Sequence, residues 1–336
     1  LATRCFFAAT HVLNLKGPCL LVSQLADLLL SCPTLNPEHL AQIQFEKGRA
    51  FRLVGQIDEA RETLEKARTT ASESKNRRIL GRALGELAIV SEFDGHMDEA
   101  LANYEEALAI HREVDNQYQE GIVLSNMGIL HRIQGRPKES RRHYEEALTI
   151  HRRIGNRRAE GIALCNLANL FSQAGQTEEA MQRLQESLFI FRETGDRRDE
   201  TLVLGNLGDL FLQLNDLPKA REHLETAIGA SKELGLKRAE GAFLGAVGEV
   251  YYRQGDIPEA RSHLNAGELI LREVEDKIEL GLLLCRLGQL ELDQGEIQEA
   301  IEHHQEAQKL AQLVSAGNES ALGRALSTFE QAINDA

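Results

Sequence analysis

The chain has 336 residues, 42% of them apolar, and a formal net charge of −14. It is long and apolar enough for an ordered fold, and its acidic balance excludes nucleic acid as the main partner, because phosphate binding calls for a basic face. Five cysteines, Cys5, Cys19, Cys32, Cys165 and Cys285, are scattered without a C-x-x-C pair, which predicts reduced thiols in a cytoplasmic protein.

Residues 1–40 carry two helical patterns, Ala2–Leu15 and Pro18–Ser31, broken at Gly17-Pro18. They read as a degenerate helix pair opening an array. Its outer surface at Phe6, Phe7, Val12 and Leu13 suits either the first repeat or an upstream segment. The chain starts at Leu1 midway through an apparent helix, so it is expected to be cut from a longer polypeptide. The run Cys19 to Cys32 is short and interrupted by Gln24 and Asp27, so no membrane span is expected. No cleavable signal is visible. The sequon Asn318-Glu319-Ser320 is attributed to chance.

From residue 41 the chain repeats every 40 residues, giving seven units over 41–320, and a fixed period of this size means stacked supersecondary units. A turn glycine recurs at Gly55, Gly95, Gly135, Gly175, Gly255 and Gly295, with Asn215 in the same place. A small residue follows five positions later, from Ala60 to Ala300. In the unit starting at Gly121, Ile122, Val123, Leu124, Met127, Ile129 and Leu130 stand at helical spacing. Gly135 ends that helix. Pro137, Pro218 and Pro258 lie just past the turns, where a missing N–H is harmless. Tyr144, Ala147, Leu148 and Ile150 form the stripe of the second helix, which Gly155 ends. Gly128, Gly208, Gly248 and Gly288 share position eight of their units, and Ala67, Ala107, Ala147, Ala227 and Ala307 share position twenty-seven. Alternating these with the large Tyr104, Tyr144, Leu184, Leu224 and Leu264 predicts close-packed helical hairpins. The last unit weakens at His304 and Gln308, and residues 321–336 read as one helix closing the stack.

The sequence resembles the tetratricopeptide repeat family through Leu124, Met127 and Gly128, the turn Gly135, and then Ser140, Tyr144 and Ala147. The likeness covers seven in-frame copies. The unit is six residues longer than the family's usual 34, and the usual aromatic of the first helix is missing. Such 40-residue versions are similar to those of kinesin light chains, G-protein regulators of spindle orientation and arrays attached to bacterial signalling ATPases and kinases. The resemblance implies an all-α, right-handed superhelical solenoid of antiparallel helix pairs, working as a protein–protein interaction module.

No catalytic motif is present: the chain lacks a phosphate-binding Gly-rich loop, a zinc-binding H-E-x-x-H and a nucleophile elbow. His143, His223, His263 and His303 share position twenty-three, one per unit and so too far apart for one metal ion; they read as surface residues of second helices. No enzyme activity, cofactor or metal is expected.

Two sets remain as binding candidates. Asn126, Asn166 and Asn206 share position six of three consecutive first helices. The resemblance implies that first helices line the concave groove. There an amide, both donor and acceptor, pairs with the backbone of an extended peptide; the alternative is a residue retained for packing. Arg77-Arg78, Arg157-Arg158, Arg197-Arg198 and Lys237-Arg238 recur in the first turn of first helices, after the expected caps Asn76, Asn156 and Asp196. Cations there oppose the helix dipole. They form either a rail for an acidic segment or a solubilising face paired with Glu120, Glu160, Glu200 and Glu240. The candidate peptide-binding set is Asn126, Asn166, Asn206, Arg157, Arg158, Arg197, Arg198, Lys237 and Arg132. The sequence reading is a non-catalytic scaffold for an extended, acidic peptide segment. The alternative is a regulatory arm of a signalling ATPase or kinase that binds its own enzyme domain or an effector.

Overall fold

The computed structural model describes residues 3, 6, 7, 10, 19–31, 35–318 and 320–335. The helix expected over Ala2–Leu15, the Gly17-Pro18 break, Val12, Leu13, Cys5, Cys32 and the Glu319 of the sequon lie outside them, wholly or in part. Sixteen helices are present among the described residues. They are α1 Cys19–Leu30, α2 Pro37–Leu53, α3 Ile57–Glu73, α4 Arg77–Phe93, α5 Met97–Glu113, α6 Gln117–Ile133, α7 Pro137–Arg153, α8 Arg157–Gln173, α9 Thr177–Thr194, α10 Arg197–Gln213, α11 Leu217–Leu234, α12 Lys237–Gln254, α13 Ile257–Glu273, α14 Lys277–Asp293, α15 Ile297–Leu313 and α16 Ala321–Asp335. The chain is all-α, a solenoid of helix pairs; within each compact unit first helices pack on their second helices and on the next pair, as α8 does on α9 and α10 on α11 and α12. It forms two compact units, residues 1–127 and 128–336.

The turns follow from their residues. Each first helix ends on a left-handed residue: Gly55, Gly95, Gly135, Gly175, Gly255 and Gly295 have φ between 70° and 82°, and Asn215 stands at 57°. Glycine and asparagine are the residues that reach this region at least cost. Asn76, Asn156 and Asp196 cap α4, α8 and α10, accepting from the amides of Ile79, Ala159 and Asp199. Pro137, Pro218 and Pro258 occupy the first turns of α7, α11 and α13.

Close packing explains position eight. A Cβ on Gly128 would come within 2.5 Å of the Tyr144 ring, and one on Gly208 within 2.5 Å of Leu224. Tyr144, Leu224 and Ala147 are fully buried. Ser140, a small residue of the same pattern, also donates from Oγ to the Gly128 carbonyl at 2.8 Å, joining α7 to α6. In the unit of residues 241–280 Gly267 replaces the usual alanine because a Cβ would meet the Gly241 carbonyl and Leu283, both at 2.8 Å.

The ends of the array carry their own packing. Phe6 is buried with Val22, Ala26, Ile43 and Ala50, so the first repeat takes up this apolar residue. At the far end His304, where its own unit's apolar stripe weakens, is buried edge-on against Phe329 of α16, 5.2 Å between centroids. A Cβ on Gly288 would strike the same ring at 2.0 Å.

Candidate functional site

First helices supply the polar rows. Asn126 on α6 belongs to the first compact unit, and Asn166 on α8 and Asn206 on α10 to the second. All three are half-buried between apolar stripes. Asn206 Nδ2 donates to Cys165 Sγ at 3.0 Å. Burial pushes the Cys165 and Cys285 thiols up to about 12, so both are weak nucleophiles at neutral pH.

The basic row is engaged within the chain. Arg157 pairs with Glu160 at 2.7 Å and Glu193 at 2.9 Å. Arg158 pairs with Asp196 and Asp199, both at 2.7 Å. Arg197 reaches Glu233 at 2.9 Å and Lys237 reaches Glu240 at 3.4 Å. Arg198 is exposed. Arg157 and Arg197 tie a first helix to its own second helix, and Arg158 ties α8 to the cap and first turn of α10 in the next pair. Of the acidic partners expected from sequence, Glu160 and Glu240 serve this row, whereas Glu120 and Glu200 pair with Arg112 and Arg192.

Arg132, half-buried near the end of α6, stands in a group that the sequence did not reveal. Its charge acts on Tyr144, Cys165 and Glu279. Burial raises Asp209 on α10 to about 6 against the pull of Arg286, and Glu279 adds to the rise. Its Oδ1 is buried without a hydrogen bond. Burial likewise raises Glu279, opposed by Arg238, Arg286 and Arg132. The period placed Asp209 and Arg286 at positions nine and six of their units, but nothing in one copy tells which charge two units away will face it.

The first unit holds a cavity of about 660 Å³. Its walls are the first helices α2, α4 and α6, with Phe7, Thr10 and His111 of α5. Arg49, Arg52 and Arg82 line it, as do Glu46 and Glu86. Arg82 lies over the Phe45 ring at 4.1 Å and bonds Glu46 at 3.2 Å. Arg52 pairs with Glu86 at 2.5 Å. Burial, with the nearby Arg82 charge, lowers His111 to about 4, so its ring is neutral at pH 7. Asn126 of the amide row also lines this cavity. The sequence carries a signal for it: position six is Glu46 and Glu86 in the first two units where the next three have Asn, and position nine of the first unit is Arg49.

Position twenty-three has a packing role beyond the surface one expected. His143 stacks on His131, His223 on Phe211 and His263 on Tyr251, with centroids 5.0–5.3 Å apart. His303 instead bonds Glu291 at 2.7 Å. Each contact is to position eleven of the same unit. Among the described residues no group of three His, Cys, Asp or Glu is placed to hold a metal ion, and no helix is long and apolar enough to cross a membrane.

A family model described as Tetratricopeptide repeat matches residues 39–113, 119–193 and 240–312, and a second of the same description matches 206–269. The chain belongs to the tetratricopeptide repeat family. No curated protein matches the sequence. Among solved structures, the tetratricopeptide chain is similar to the apo quorum sensor NprR from B. thuringiensis, at 15% identity and TM-score 0.67, covering 92% of this chain and 87% of that one. It is similar to the Rap conjugation gene regulator of plasmid pLS20 in complex with the Phr* peptide, at 17% identity and TM-score 0.62, covering 76% and 69%. It is also similar to a signal-transduction ATPase with a tetratricopeptide repeat sensor from Pyrococcus horikoshii, at 16% identity and TM-score 0.62, covering 99% of this chain and 49% of that one. At these identities the likeness is one of fold.

Proposed function

We propose that this chain is a non-catalytic, cytoplasmic scaffold or sensor that binds an extended peptide segment through its first helices. The observation that carries the reading is the half-buried amides at position six of successive first helices in the second unit, Asn166 and Asn206; Asn126 of the first unit has the same position in sequence. A side-chain amide satisfies a peptide backbone without reading its side chains. The peptide-bound Rap regulator of similar fold supports this class of ligand. An acidic segment is the preferred ligand. Arg157, Arg158, Arg197, Arg198, Lys237 and Arg132 would take its carboxylates, the paired ones exchanging a surface ion pair worth about 0.2–1 kcal/mol. The likeness to the ATPase with a repeat sensor favours, as a second reading, a sensor arm of a larger polypeptide.

The test is an array of random peptides probed with the full chain and with an Asn166→Ala, Asn206→Ala double variant. Acidic peptides should rank highest. Their binding should weaken about fivefold to a hundredfold in the double variant, two hydrogen bonds at about 0.5–1.5 kcal/mol each. Equal binding by parent and variant would remove the amide row from the site. A preference for basic peptides would overturn the charge assignment.

A further inference from the structure

Gly85 lies in the middle of α4, eight residues from either end. Nothing in the backbone demands it, since it is absent from the positive-φ positions. Among the described residues the packing does not demand it either: a Cβ built there would meet Val123 Cγ2 at 3.9 Å and no other described atom within 4 Å. Its neighbours in the pattern differ. A Cβ on Gly81 would come within 2.7 Å of His111 Cε1, and one on Gly205, at the same place in its own unit, would strike the Phe243 ring. A mid-helix glycine without such a reason weakens its helix. What the missing side chain leaves is room, because Gly85 lines the 660 Å³ cavity of the first unit.

The cavity's charges do not balance. Three guanidinium groups face two carboxylates among the described lining residues. Arg52 and Arg82 each hold one carboxylate at hydrogen-bond distance. Arg49 is left between them, 3.6 Å from Glu86 and 4.0 Å from Glu46, with its Nε buried and unbonded. The rest of the lining is largely apolar: Phe7, Phe45, Ile89, Ile122 and Val123. Tyr118, 53% exposed, also lines it. A volume of this size is that of a small-molecule pocket.

We propose that this cavity binds a compact aromatic or branched apolar carboxylic acid, its carboxylate on Arg49 and its apolar body against Phe45, Ile89 and Ile122 in the space that Gly85 leaves. The site does not rest on the extended-peptide reading, and either can fail without the other. A lone carboxylate matches the one excess guanidinium among the described lining residues, and the Arg49 guanidinium, whose contacts to Glu86 and Glu46 are the long ones of the cavity, is planar and suited to carboxylate binding. A doubly charged ligand would leave a second charge unmatched in a half-buried site.

The probe is N-acetyl-4-fluorophenylalanine, followed by fluorine NMR on titration with the full chain. Its carboxamide and the tripeptide Gly-Gly-(4-fluoro)Phe are the other arms. The free acid should bind, and the carboxamide at least about tenfold more weakly, the cost of one charge-assisted contact. Gly85→Leu, whose side chain would enter the cavity, and Arg49→Leu should each lower the affinity of the acid by about tenfold or more. Gly85→Ala should melt higher than the parent, which shows that the fold does not need the glycine. Failure of the acid to bind, equal binding of acid and carboxamide, or undiminished binding by folded Gly85→Leu would each overturn the proposal. Tighter binding of the tripeptide than of the acid would assign the pocket to a peptide end and overturn the small-molecule ligand.

Discussion

Position eight shows how much one atom decides. The Tyr144 ring already occupies the place of a Cβ on Gly128, so Gly128→Leu must displace α7 and should cost about 1–3 kcal/mol, read as a lower melting temperature with the helical signal retained. Two titrating groups of the first unit act at the same scale. Burial raises the Glu92 carboxyl to about 7, opposed by the hydrogen bond that Tyr104 Oη donates to it at 2.7 Å. A carboxyl with a raised pKa holds its proton more tightly in the fold, so its contribution is complete below about pH 4.5 and is lost as pH rises through about 7. His111, lowered to about 4, favours the neutral ring in the fold; its contribution is complete above about pH 6.5 and is lost as pH falls through about 4. Glu92→Gln should therefore flatten the fall in melting temperature between pH 5 and 8 and leave the acid limb unchanged. A variant with the parent's alkaline slope would remove Glu92 from that limb. The glycines and large residues of the hairpin were legible in the sequence because the contact they make lies inside one repeat. Glu92 and His111 were not, because their burial depends on neighbouring helices.

Helix ends were read well where the residue type announces the geometry. Glycine and Asn215 mark the turns after first helices, and Asn or Asp marks the caps. The turns after second helices were half legible. Gly155, Gly195 and Gly235 take positive φ there, but Lys75, Asp115, Glu275 and Ser315 take it too, and their side chains give no sign of it. For residues with a Cβ that conformation costs about 1–2 kcal/mol. Glu275→Gly should recover about 1 kcal/mol of it, since glycine gives part of the gain back as unfolded-chain entropy. A melting temperature below the parent's would refute this account of the turn. The closing helix expected at residues 321–336 is present as α16, yet its key contact was invisible. Phe329 lies over Gly288 and beside His304, two positions that the internal pattern left unexplained. Phe329→Ala should cost about 3–5 kcal/mol of local stability, as for a buried aromatic, seen as faster amide exchange in α14 and α15.

Most of the packing lies between neighbouring helix pairs, and this sets how a local fault spreads, although in the second unit Arg132 acts on Glu279 and the Gly317 amide donates to the Ile133 carbonyl at 3.3 Å. In a solenoid each pair is held by the pairs beside it, so a lesson learned in one repeat does not transmit to distant ones through a common core. The ion pairs are as local: Arg157 to Glu193 and Arg197 to Glu233 lie within one helix pair, and Arg158 to Asp196 joins a pair to the next. The period revealed this organisation from the sequence, since identical stripes at 40-residue spacing have nowhere to be buried except on their neighbours. It could not reveal the cavity of the first unit or the Asp209, Glu279 and Arg286 group of the second, where the units depart from one another. Gly208→Leu, whose Cβ alone would press on Leu224 at 2.5 Å, is the variant that tests the additive description. Hydrogen exchange should quicken in α10 and α11, and to a lesser extent in α9 and α12. Protection in α4 and α5, far along the array, should stay at the parent's level. A uniform quickening through all helices would instead mean that the array opens as one cooperative body, with stability not divisible by repeat.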